Sequence, residues 1–175
     1  MTLYRFAALG LALLPLAGCN SAKVNFCPVP VILADASQLA VFRQGATQDL
    51  SGEAYRVSLV GTNTDCQIDK KTGETDSSLT LTFRATRAPL ADGAHYTVPY
   101  FVAVTRGDQL LEKRILSISF DFAPGAAVAS FQVSPDDFNI KLESGHQPYE
   151  YQLMAGFQMT PAQVDYNKRV GRFAP

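Results

Sequence analysis

Leu79, Leu81, Phe83 and Ala85 alternate with Thr80, Thr82, Arg84 and Thr86, and no other feature of the sequence restricts the fold as much. A period of two puts the apolar set on one face of a strand and the polar set on the other, so this segment must lie across a core with its back to water. The same alternation returns in Leu116, Ile118, Phe120 and Phe122 against Ser117, Ser119 and Asp121, and in Tyr55, Val57 and Leu59 against Arg56 and Ser58. Tyr149, Tyr151, Leu153, Ala155 and Phe157 form the longest such face. Shorter candidates are Val29 to Leu33, Gln38 to Phe42, Val128 to Val133 and Phe138 to Leu142. Turn signals separate them at Asp92-Gly93, Arg106-Gly107-Asp108, Pro124-Gly125 and Ser144-Gly145.

Eight or nine short strands with antiparallel-style turns and almost no helical period predict an all-β fold. The expectation is a two-sheet antiparallel β-sandwich, immunoglobulin-like, with a short C-terminal helix. The chain has no tryptophan, so the buried indole of true immunoglobulin domains is missing. Thr160 followed by Pro161 reads as a helix cap and first helical position, which predicts a helix from Pro161 to about Lys168.

At the amino end, Arg5 precedes thirteen residues, Phe6 to Gly18, without a charged or strongly polar side chain, the pattern of a secretory signal peptide. A bilayer-spanning helix needs about 20 apolar residues, and Pro15 interrupts this shorter run. The stretch closes on Leu16-Ala17-Gly18-Cys19, which resembles the lipobox of bacterial lipoproteins. In outline the chain is similar to small outer-membrane lipoproteins of Gram-negative bacteria. The lipobox resemblance covers the first nineteen residues. It implies that Cys19 carries lipid, becomes the first residue of the mature chain and ties it to the membrane. In enteric lipoproteins an aspartate after that cysteine retains the protein in the inner membrane. Asn20 stands there in this chain, so the resemblance favours the outer membrane, with the domain in the periplasm. The competing reading is an ordinary cleaved signal followed by a chance cysteine.

The expected organisation is a signal peptide over residues 1–18, a lipidated amino terminus and short tether over 19–26, and a single domain over 27–175. Seven residues separate Cys19 from Cys27 and reach at most about 25 Å when extended, which keeps the domain near the membrane surface. With Cys19 assigned to lipid, Cys27 and Cys66 remain, and an exported chain meets an oxidising compartment where such a pair joins. We expect that disulfide, set in an antiparallel hairpin; two buried free thiols are the alternative.

Removing 18 residues from 175 leaves 157, with 14 Lys plus Arg against 16 Asp plus Glu, so no basic field for nucleic acid exists. His95 and His146 are the two histidines, and neither belongs to a paired ligand motif. Nucleophile-elbow, P-loop and dinucleotide fingerprints are absent, so the sequence predicts no enzyme, no cofactor and no metal site. Asp65, Asp69, Glu74 and Asp76 gather around Gly73, but Lys70 and Lys71 stand where a calcium loop needs oxygen ligands, which favours a solvated hairpin loop.

Two surfaces stand out as candidate contacts. In HYTVPYFVAV, Tyr96, Val98, Tyr100, Val102 and Val104 fill one face while Phe101 and Ala103 give the other apolar character. Pro99 cannot donate to a ladder, which pushes the strand toward an edge or a bulge. An edge strand with an outward Phe101 makes Pro99 and Phe101 candidate contacts for an envelope protein partner, unless the protein's own loop or terminal helix covers them. His146, Tyr149 and Tyr151 are candidate contacts for a small molecule or glycan bound by loops at one end of the sandwich. Arg106-Gly107-Asp108 reads as a hairpin tip, and the tail with Lys168, Arg169, Arg172 and Phe173 reads as a frayed end that otherwise meets anionic headgroups. The sequence therefore leads to a membrane-anchored envelope lipoprotein, a structural or protein-interaction module without catalytic activity. A small-molecule or glycan binder is the competing class and a hydrolase the third.

Overall fold

The computed structural model describes residues 26–170 apart from residue 70, so the segment 1–18, Cys19, and Arg172 and Phe173 of the tail lie outside the described residues. Nine strands are described: β1 (Val29–Ile32), β2 (Gln38–Phe42), β3 (Glu53–Asp69), β4 (Glu74–Arg87), β5 (Ala94–Arg106), β6 (Gln109–Phe122), β7 (Val128–Val133), β8 (Phe138–Lys141) and β9 (Tyr151–Phe157). One α-helix, α1 (Pro161–Val170), follows. The strands form two sheets: β1-β9-β5-β6, and β2-β3-β4-β7 with β8 paired to β4 beyond the end of β7. Every pairing is antiparallel except that of β1 with β9.

The alternating faces meet between the sheets. Val57, Leu79, Leu81, Phe83 and Ala85 from one side are buried against Val98, Val102, Phe120, Phe122, Leu153 and Phe157 from the other. Each large side chain so buried contributes about 1.5–3 kcal/mol relative to exposure. Ring contacts knit the middle: Phe131 stacks on Phe83 at 5.5 Å and on Phe120 at 4.8 Å between centroids. The two-sheet sandwich with a short C-terminal helix is thus the fold the alternation requires.

β3 and β4 run further than their apolar residues. The register slips between Leu59 and Gly61, and exposed Val60 sits in that bulge. Past it, pairing continues to Asp69↔Glu74, so most of the segment read as a solvated loop is strand. Only the turn at its tip remains, with Gly73 at φ 71°. The buried side chains here are polar, Thr64, Thr75 and Ser77, which is why a hydrophobic pattern cannot reveal them. The carboxylates Asp65 and Asp69 accept from backbone N–H groups of Cys66 and Lys71, at 2.8 Å and 2.7 Å.

Cys27 and Cys66 are joined, with their Cα atoms 5.5 Å apart. The bond does not sit in a hairpin, as expected, because β1 pairs with β9 while β3 belongs to the other sheet. It links the two layers at the β1 edge, where the Thr64 hydroxyl also donates to the Pro28 carbonyl at 3.0 Å. The helix closes the edge at β2. Thr160 and Gln163 cap it reciprocally, Gln163 Oε1 accepting from Thr160 N–H at 2.9 Å. Its Tyr166 is buried edge-on against Phe42 at 4.9 Å, and Asn167 donates to the Gln38 carbonyl at 2.7 Å.

Candidate functional site

β5 is not an edge strand. It lies between β9 and β6, paired to both, and this corrects the expectation drawn from Pro99. The proline is tolerated because of where its missing donor points. Gln158 N–H donates to the Pro99 carbonyl at 3.1 Å, and in an antiparallel ladder a residue's N–H and C=O face the same neighbour. The lost N–H therefore points at the place where β9 has already ended, at Phe157.

Phe101 does stand on the outer face of its sheet, but it is only 8% exposed. Ala36, Ala103, Met154 and Met159 pack around it. Gly156, its cross-strand partner, makes room: a Cβ there would stand 2.8 Å from the Ala36 Cβ and 3.2 Å from the ring. The Lys113 ammonium covers the ring at 4.4 Å and donates to Gln158 Oε1 at 3.0 Å. Phe101 is a covered side chain beside a groove of about 310 Å³, not an exposed anchor.

The loop residues His146, Tyr149 and Tyr151 do not gather into one exposed face either. Tyr151 is fully buried, and its hydroxyl accepts from the Glu143 N–H at 2.9 Å. A short turn, Pro148–Glu150, breaks the strand pattern before it, which leaves Tyr149 half exposed while Tyr151 points inward. Hence Tyr151 is a core residue and not a stacking platform. The His146 ring meets the Glu150 carboxylate at 2.5 Å, and that hydrogen bond holds the carboxyl below its usual range.

The long free edge of the molecule is β6. It pairs with β5 on one side and, among the described residues, has no strand on the other, over fourteen residues. The other edges are shorter or covered: β1 has four residues, and β2 has five and lies under α1. On β6 the outward residues Lys113, Ile115, Ser117, Ser119 and Asp121 are all exposed, opposite the buried Ile118, Phe120 and Phe122. A register shift opposite Val104 and Thr105 leaves Leu110 and Leu111 outside as well. Leu110 is 58% exposed and Ile115 61%. The inward-phase charges Glu112 and Arg114 pair at 2.5 Å, and the Arg114 guanidinium lies 4.2 Å above the Phe138 ring while donating to the Asp137 carbonyl at 3.1 Å. Those contacts seal the core at the open side without pairing the backbone of β6.

No protein family, curated protein or solved structure matches the chain. Among the described residues there is no group of three His, Cys, Asp or Glu side chains placed to hold a metal, and no helix long and apolar enough to cross a membrane. What β6 offers chemically is a row of unpaired amides and carbonyls flanked by apolar side chains, the template for strand addition. Sequence reasoning missed this edge although its signal is present. Counting back by two from Phe122 puts Glu112 and Arg114 in the inward phase and Leu111 and Ile115 in the wet one. Inward charge and outward aliphatics together mark an edge.

Proposed function

We propose that the chain is a lipid-anchored envelope protein, tethered through Cys19, whose sandwich works as a protein-interaction module. The observation that carries the interaction is the fourteen-residue β6 edge, unpaired among the described residues and lined by exposed Leu110, Leu111 and Ile115. A protein partner adding a strand gains backbone hydrogen bonds from the edge and selectivity from alternate side chains. The short tether supports the reading of a domain held close to the membrane, where such a partner would have to meet it. Hydrogen exchange on the full chain tests this by comparing native membranes with dilute detergent solution. β6 amides are expected to exchange about tenfold or more slowly in membranes, with β5, paired on both sides, unchanged. Equal β6 exchange in both settings would leave the edge vacant in its own membrane and overturn the proposal.

A further inference from the structure

We propose that the strand added to β6 is β6 of a second copy of this chain, in one register centred on Ser117; this rests on reading β6 as the contact edge. Two identical strands pairing antiparallel about a two-fold axis must place that axis on a residue, because neighbouring residues point their N–H and C=O groups to opposite sides. The outward face of β6 then decides which residue. It carries one cation, Lys113, and one anion, Asp121, eight positions apart. An axis at Lys113 would set two ammonium groups against each other, and like charges directly opposite are destabilising. An axis at Ile115 leaves Asp121 unopposed by charge. An axis at Ser117 puts Lys113 of each chain opposite Asp121 of the other, twice by symmetry, with Ile115 beside Ser119 and the two Ser117 residues facing each other.

That register uses Glu112 to Phe122 of both strands, all of it inside the observed strand. Alternate pairs exchanging two bonds each give about ten backbone hydrogen bonds, the number an ordinary specific interface carries. The two four-stranded sheets would become one continuous sheet, and the exposed Ile115 of each copy would lie within it. In the single chain the Asp121 carboxylate meets His95 Nδ1 at 2.8 Å and the Lys113 ammonium donates to Gln158 Oε1 at 3.0 Å, so both charged ends turn from these neighbours in their own chain toward each other when the second copy docks. The formal charge of the mature chain is small, so no general repulsion between copies opposes the contact.

Cysteine crosslinking of the full chain in its membrane tests the register. Residues directly opposite in an antiparallel pair have Cα atoms about 4.5–5.5 Å apart, inside the range a disulfide spans. Ser117→Cys is therefore expected to form a reducible species of twice the chain mass. Ser119→Cys, also exposed, would stand four residues from its mate, about 13 Å away, and is expected to crosslink at least tenfold less. Lys113→Asp is expected to lower the Ser117→Cys yield severalfold, and adding Asp121→Lys to restore it. Crosslinking at Ser117→Cys no greater than at Ser119→Cys overturns the pairing, as does a charge swap that fails to restore it. An adduct of Ser117→Cys with a different protein also overturns the second copy, yet leaves the interaction module standing. No adduct together with unchanged hydrogen exchange would remove both.

Discussion

Truncating Phe101 to alanine separates a covered side chain from an exposed anchor. The ring is nearly buried, sits on Gly156 and packs against Ala36, Ala103, Met154 and Met159. Removing such a ring from a core costs about 3–5 kcal/mol. Here the lower end applies, because the cluster borders a groove of about 310 Å³ through which water can fill the gap. Loss of the Lys113 contact over the ring, about 0.5–1 kcal/mol, belongs within that figure. At about 2–4 °C per kcal/mol for a domain of this size, a cost of about 3 kcal/mol lowers Tm by about 6–12 °C. Thermal unfolding of the purified chain, followed by near-ultraviolet circular dichroism, measures it, with Phe101→Leu expected to lose less than half as much. A Tm within about 2 °C of the unaltered protein would refute the packing described and return Phe101 to the solvent.

Opening the Cys27–Cys66 bridge, which closes a loop of sequence separation 39, should cost about 4 kcal/mol on the chain-entropy account, seen as a fall in the urea midpoint of Cys27→Ala/Cys66→Ala. Burial and the hydrogen bond to the Glu53 carboxylate push the Tyr166 hydroxyl from 10 up to about 12. The fold therefore favours the protonated phenol, whose contribution is whole below pH 10 and is lost as pH rises through about 12. Urea titrations at pH 9 and 12 should show Tyr166→Phe losing less stability across that window, by on the order of 2 kcal/mol. Mass spectrometry of membrane-extracted protein should find a mature chain that begins at Cys19 and carries acyl groups, absent from Cys19→Ser.

How much of this was legible depended on phase and on charge. Apolar patterning marks part of every described strand, because burial on one face is written directly into alternation, and the Thr160-Pro161 cap marks the start of the helix. The far halves of β3 and β4 were not legible, since a bulge at Val60 changes the phase and the residues turned inward beyond it are Thr64, Thr75 and Ser77. Pro99 misled because its carbonyl still accepts from Gln158 beyond the end of β9, a fact of strand length in a distant segment. Alternation alone puts Tyr151 and Tyr149 on one face; the intervening turn at Pro148–Glu150 separates them. The cysteine pair was readable as a bond, while its place between sheets depended on β1 choosing β9.

The most direct measurement is photo-crosslinking from single positions of the full chain in its native membrane. A photoreactive residue at Ile115, on the free β6 edge, is compared with one at Val60, similarly exposed on the bulge of the opposite sheet. The account predicts a discrete protein adduct from Ile115 and none from Val60. Lipid labelling alone at Ile115, or equal protein labelling at both positions, would contradict it.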